Sequence, residues 1–320
     1  MTTMRVISLI LAAIGTSILG IPASAETYPS QVVRIVIPFS AGSITDGLAR
    51  ILAEKLADEW KQQVIVENRP GLPGTTGVAK SAPDGYTLML TSNGHTIAGA
   101  INKSIQFDPV KDFAGVSRVA AVPLVAIVPP DLPAKTLSDF ITLAKERPGQ
   151  LNFSSAGVAS TSYLSAEIFK QDAKINILHI PYKGAPEATT AVIRNDAQMY
   201  FAPIPATQEL SATGKVRAIA INTAARVPQL PEVPTVAETL PSYKYESWFG
   251  VFAPAGTPQP ILSKVSKDIA KVLQMPDVKE KLLAQGSIPA PTTPAEFDAI
   301  NKADTERYGK ILKDAGITPQ

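Results

Sequence analysis

The sequence predicts an α/β fold of two hinged lobes, and three observations carry that expectation. Short apolar, β-like runs alternate with stretches at helical spacing, the pattern of strands joined by crossover helices in mainly parallel sheets. Two proline-rich connections, Val122 to Pro133 and the stretch holding Pro228, Pro231, Pro234 and Pro241, cut the chain into blocks and provide a hinge of two crossing segments. With 320 residues, 45% hydrophobic and 18% charged, the chain has apolar material for about two domains.

The first 25 residues read separately. Arg5 is the only charge before an almost wholly apolar run from Val6 to Ile21, and Ala23-Ser24-Ala25 follows as a signal-peptidase pattern. The run falls short of the ~20 residues a membrane span needs. Cleavage is expected after Ala25, giving an exported, soluble protein, and cysteine is absent, so disulfides, thiol nucleophiles and zinc–thiolate sites are excluded.

In the first block Val32 to Ile37 reads as a strand, and Ile44, Leu48, Ile51, Leu52, Leu56 and Trp60 recur as one helix face. Val64 to Val66 and Tyr86 to Leu90 continue as strands. The second block gives a helix near Leu137 to Lys145, a strand at Leu151 to Ser154, a helix near Tyr163 to Lys170, and strands Ile175 to Ile180, Gln198 to Phe201 and Val216 to Ile221. Ser247 to Ala253 leads to the last helices, whose starts are marked by Thr257-Pro258 and by Thr293-Pro294 with Glu296 as a capping box. The expected division is a leader over 1–25, one lobe from 26–122 and 225–320, and a second from 123–224.

The charge balance, 30 Lys and Arg against 28 Asp and Glu, leaves no basic footprint for nucleic acid. There is no G-x-S-x-G, G-x-G-x-x-G, phosphate-loop or H-E-x-x-H pattern. His95 and His179 read as packed or solvent-facing rather than catalytic, and no base at a recognisable spacing serves Ser154 or Ser155. No metal site or cofactor is expected.

Two junctions carry the functional signal. Ile37-Pro38-Phe39-Ser40-Ala41-Gly42-Ser43 and Ile180-Pro181-Tyr182-Lys183-Gly184-Ala185 each run strand, Pro-aromatic, small residues, helix. The first amides of such a helix lack intrahelical acceptors, its dipole adds partial positive charge, and small residues let a ligand reach the backbone, so an anion suits each. A third loop, Ser154-Ser155-Ala156-Gly157 to Thr161, offers hydroxyls as well as amides. Some of these residues have a second reading. Ser43 and Asp46 also form a helix-capping pair, Lys183 also reads as a solvated charge, Gly157 and Gly184 as turn residues, and Asn93 as a turn residue after its strand.

Several motifs together resemble the Bug family of extracytoplasmic solute receptors of tripartite tricarboxylate transporters. They are Pro38-Phe39 through Gly42 with Asp46 and Arg50, Glu67 to Gly71, Pro83 to Leu88, Asp108 to Phe113, Pro181 to Gly184, Leu230 to Glu238 and Trp248 to Pro258. The resemblance implies a two-lobed periplasmic binding protein, type II-like, that is not an enzyme. It closes on a small organic carboxylate and delivers it, as a monomer, to membrane permease subunits. Carried over by position, the ligand-binding residues are Phe39, Ser40, Ala41, Gly42, Ser43, Asp46, Ser92 and Asn93 in one lobe. The other supplies Ser154, Ser155, Ala156, Gly157, Thr161, Tyr182, Lys183, Gly184, Ala185 and Ala202. An exported hydrolase or isomerase using the same cleft, or a ligand sensor for a membrane signalling partner, are the alternatives. Three departures matter: Ser43 stands where the family often has Gly, Val158 to Thr161 and Tyr163 where it commonly has a Gly-Asn-Gly-Ser-like run and a His, and Ala202 where an Asp is frequent. Without that Asp, the expected ligand is a non-amino carboxylate with an apolar or aromatic body.

Overall fold

A computed structural model describes residues 28–158, 160–314 and 316–319; the expected leader and its cleavage after Ala25 lie outside the described residues. The chain begins β1 (Val33–Ile37), α1 (Ile44–Trp60), β2 (Val64–Asn68), α2 (Leu72–Ala79), β3 (Thr87–Ser92), a 3-10 turn (Asn93–Ile97) and α3 (Ala98–Ile101). It continues with β4 (Phe113–Ala121), β5 (Leu124–Val128), α4 (Leu137–Glu146), β6 (Asn152–Ser155), α5 (Thr161–Ala173), β7 (Leu178–Pro181), α6 (Ala185–Ile193), β8 (Met199–Pro203), α7 (Ile204–Ala212) and β9 (Arg217–Ile221). The remainder is α8 (Val236–Thr239), β10 (Trp248–Pro254), α9 (Gln259–Gln274), α10 (Pro276–Ala284), β11 (Ile288–Pro289) and α11 (Pro294–Asp314).

Two sheets form, in the orders β11-β4-β10-β3-β1-β2 and β7-β6-β8-β5-β9, giving the expected two-lobed α/β architecture. Their pairing is mixed rather than mainly parallel. β1 pairs in parallel with β2 and β3, and β6 with β7 and β8; every pairing of β4, β5 and β10 is antiparallel. The reason is connectivity. Strands joined by crossover helices come back parallel, whereas β4 passes into β5 of the other sheet through Val122 and Pro123 alone, with no helix to return it. In the Val122 to Pro133 stretch the strand-to-strand crossing is therefore two residues, Val122 and Pro123, running straight into β5, which is buried at all five positions.

The second crossing, from Asn222 to Ser247, lies against the first. Val122 N donates to Ser247 O at 2.9 Å, and buried Asn222 accepts from Leu124 N at 2.7 Å while its amide donates to Ser165 and Ser247 hydroxyls. Each such group is matched because an unpaired buried polar atom costs about 1–3 kcal/mol.

Local signals hold where they are short-range. Ser43 caps α1 by accepting from Asp46 N at 3.2 Å, and Thr293 with Glu296 closes the expected capping box on α11. Thr257 does not cap α9; its hydroxyl donates back to Pro254 O, and Pro258 occupies the cap position without a side-chain bond. Gly250 on β10 gives up a side chain so that the sealed Phe297 ring of α11 can lie against the strand; a Cβ there would overlap the ring. Among the described residues no helix is long and apolar enough to cross a membrane, and no cluster of metal-ligating side chains forms.

Candidate ligand-binding crevice

The crevice is built at the carboxyl ends of β1, β3, β6 and β7, where strands hand over to helices. After β1, Gly42 takes a φ of +80°, a conformation that favours glycine, and turns the chain into α1. Asp46, 5% exposed, holds that turn from inside: Oδ2 accepts from Gly42 N at 2.9 Å and from Arg50 Nε at 3.1 Å, and Oδ1 from Asn68 Nδ2 at 3.0 Å. The same Asn68 amide donates to Phe39 O at 3.2 Å. Burial pushes the Asp46 carboxyl up, but hydrogen bonds from Arg50, Gly42 and Asn68 outweigh it and hold the group below the usual carboxylate range. Ser43 N is engaged by Ser40 O. The amides of Ser40 and Ala41, both exposed, donate to no acceptor among the described residues, nor do those of Ile44 and Thr45 at the start of α1.

In the other lobe, Ser155 Oγ lies 2.7 Å from His179 Nε2 and accepts from Gly157 N at 3.2 Å, while Ala156 N donates to Ser162 Oγ at 3.1 Å. Gly157, at φ +116°, lies against the next loop: a Cβ on it would touch Tyr182 O. Tyr182 N donates to Ser155 O and Lys183 N to Glu187 Oε2. The amides of Gly184 and Ala185, at the start of α6, have no acceptor among the described residues, and exposed Lys183 is in no ion pair among them.

Phe39 and Val158, one from each lobe, wall a common cavity of about 380 Å³. Leu72, Ala98, Ile101 and Phe107 make it mostly apolar; Thr75, Thr91, His95 and Asn102 add polar atoms, and no charged side chain lines it. His95 stacks on Phe107 and packs edge-on against Phe113 and tilted against Phe252, and burial lowers it to about 4, so the cavity is uncharged at neutral pH. A histidine lowered in the folded state is protonated first in the unfolded chain. Between pH 6.5 and 4 stability therefore falls as pH falls. From pH 7 to 5 the wild type is expected to lose about 2 kcal/mol more than His95→Phe in urea titrations; equal losses would show that His95 carries no such share.

Phe39 and Val158 share one cavity and Gly157 lies against Tyr182 O, but the Tyr182-to-Ala185 turn does not line that cavity, and several residues of the expected ligand set are used elsewhere. Tyr182 walls a separate groove of about 340 Å³ with Glu187, Thr190 and Arg194. Several predicted side chains face inward and position the loops instead of reaching the crevice. Asp46 is engaged as described; Ser92 caps the 3-10 turn; Ser154 Oγ donates to Ala188 O. Asn93 is fully buried, donating to Tyr245 OH and Glu246 O, and Tyr245 OH in turn donates to Thr161 O. Ala202 is sealed in the core of its lobe. Sequence reasoning missed Asn68, Tyr245 and His179 as the partners that hold these loops. The Glu67-to-Gly71 motif was the one available signal for Asn68. Ser155, 0% exposed, is turned inward to His179, a half-buried imidazole stacked on Phe153 and tilted against Tyr163, a packing contact that holds the loop.

Two lobes joined by paired crossings, meeting at an uncharged crevice edged with unengaged main-chain amides, define the class of two-lobed solute-binding receptors. The comparisons name the family. The chain belongs to the tripartite tricarboxylate transporter family receptors, matched over residues 48–317. BugT of Bordetella pertussis is 34% identical, with 99% of each chain covered. The solved structure of R. palustris Rpa4515 with adipate has a TM-score of 0.81 at 32% identity, over 92% of this chain and 100% of that one. MatC from Rhodopseudomonas palustris with bound malate gives 0.77 at 29%, over 89% and 100%.

Proposed function

We propose that this receptor captures a non-amino carboxylate with an apolar or aromatic body and hands it to the membrane permease of a tripartite-type transporter. The observation that carries the reading is the pairing of unengaged Ser40 and Ala41 amides with an adjoining cavity that has no charged wall. The carboxylate meets the amides and the dipole of α1; the body fills the cavity beside Phe39, Leu72 and Phe107. A second carboxylate, where the ligand has one, meets the Gly184 and Ala185 amides at α6. An ammonium would find no Asp or Glu in the cavity wall, and Ala202 offers none. Relatives with adipate and malate support the carboxylate, and the missing counter-ion supports the exclusion of amino acids.

Charge-assisted hydrogen bonds contribute about 1.5–3 kcal/mol each. Four to six, less the cost of ordering and closure, leave about 8–10 kcal/mol, a Kd around micromolar or below. Lobe 1 comprises 26–122 and 225–320 and lobe 2 comprises 123–224, closing about the two crossings; the exported chain, cleaved after Ala25, acts as a monomer. Calorimetric titration with hexanoate, benzoate, adipate, aspartate and glutamate is expected to give binding to acids of the first three kinds only. Binding of aspartate or glutamate, with none of the others, overturns the proposal. Small-angle scattering should show a smaller radius at saturation, and identical profiles would count against closure.

A further inference from the structure

The cavity beside Phe39 has mostly apolar walls, yet two threonine hydroxyls in those walls are unused. Thr91 stands two places after Met89 on β3 and so shares its face, which packs with Val78 of α2, Ala98 of α3 and Phe107. Thr75 precedes Val78 by three places on α2 and therefore lies on the same side of that helix. Thr75 and Thr91 both line the cavity, at 6% and 3% exposure, and neither hydroxyl has a hydrogen-bond partner among the described residues. His95, in the same wall, meets the Pro109 carbonyl through Nε2 at 3.0 Å. A carbonyl only accepts, so Nε2 carries the proton and Nδ1 is left as an acceptor with no partner among the described residues. Asn102 Oδ1 accepts from Ser104 N, which leaves its amide free to donate. Buried hydroxyls are paired in the large majority of cases, so two in one cavity point to a guest that pairs them.

We propose that the ligand carries a hydroxyl at the end of its body remote from the carboxylate, and that Thr75, Thr91 and His95 recognise it. The inference rests on the carboxylate reading above and narrows it. With the carboxylate on the Ser40 and Ala41 amides, next in sequence to Phe39, the body enters the cavity past that ring and its far end comes among the buried hydroxyls. A hydroxyl does both things this wall asks for: it donates to His95 Nδ1 and accepts from a threonine or from Asn102. A methyl group in its place would leave those polar atoms buried and unpaired. A second carboxylate has no proton for Nδ1, and no cation in the wall offsets its charge. Sites of this kind discriminate sharply, because the analogue without the hydroxyl strands the groups that would have bound it.

Calorimetric titration of the full chain with two matched pairs of acids tests this: 4-hydroxybenzoate against 4-methylbenzoate, and 6-hydroxyhexanoate against heptanoate. Within each pair the body keeps its size and only the terminal oxygen is lost. The hydroxy acid is expected to bind at least tenfold more tightly in one pair or both, and the double variant Thr75→Val, Thr91→Val to bring that ratio below threefold. Valine keeps the branched shape of threonine, and thermal melting checks that the variant folds; if it does not, the wild-type ratios alone decide. A ratio below tenfold in both pairs, or one that stays at threefold or above in the folded variant, overturns the inference while the carboxylate reading stands. Binding of none of the four acids overturns both.

Discussion

Asp46→Ala is expected to weaken carboxylate binding by at least tenfold and to destabilise the fold by about 2–4 kcal/mol. The side chain touches no ligand in the proposed pose. It supplies the acceptors for Gly42 N, Arg50 and Asn68, and through Asn68 it fixes the Phe39 carbonyl. Without it Gly42 N loses its acceptor, Asn68 is released, and the Ser40 and Ala41 amides no longer share a fixed direction. The half-exposed Arg50 side limits the Coulomb share, so most of the loss comes from the amide hydrogen bonds. Asp46→Asn retains an acceptor for Gly42 and should fall between the two. Because the folded pKa is lowered, the carboxylate's contribution is complete above pH ~4 and disappears as pH falls through the folded value. Urea unfolding and calorimetry check both parts; an alanine variant that binds with wild-type affinity would remove Asp46 from the site's architecture.

The second large effect is steric. Gly74→Ala should destabilise the protein by about 3 kcal/mol, lowering Tm by roughly 6–12 °C. The new Cβ would overlap the Arg69 carbonyl oxygen, a backbone atom that has no rotamer to escape through. That oxygen is fixed by the turn joining β2 to α2, where Arg69 N donates to Ile37 O and Gly71 N to Pro38 O. The strain is therefore transmitted to the Pro38–Phe39 corner, and ligand affinity should fall with stability. A melting curve unchanged from wild type would show that α2 moves freely against the turn. Gly77 on the same helix has only a distant Arg69 nitrogen near its Cβ position, so Gly77→Ala serves as the tolerant control.

Helix α1 was legible in the sequence from Ile44 to Trp60, because its stripe and the Ser43 cap are both encoded within a few residues. β4 and β5 were not. The former mixes Gly115, Ser117 and Arg118 into its apolar positions, and the latter is buried on both faces and flanked by prolines, so neither shows period-two alternation. The site divided along the same line. The small-residue turns and their free amides follow from local composition. The inward roles of Asn93 and Asn222 do not, because their partners Tyr245 and Leu124 lie 152 and 98 residues away. Buried polar side chains at a hinge look like ligand donors in one dimension.

Val122 and Pro123 are the whole of the first crossing, and each is fastened to a strand pinned in a different sheet. So short a tether leaves the halves no slack to slide or separate; what remains is a swing about one axis. With the proposed closure following that swing, a protein docking on one point of each half would measure a single angle and so read occupancy from outside without touching the cargo.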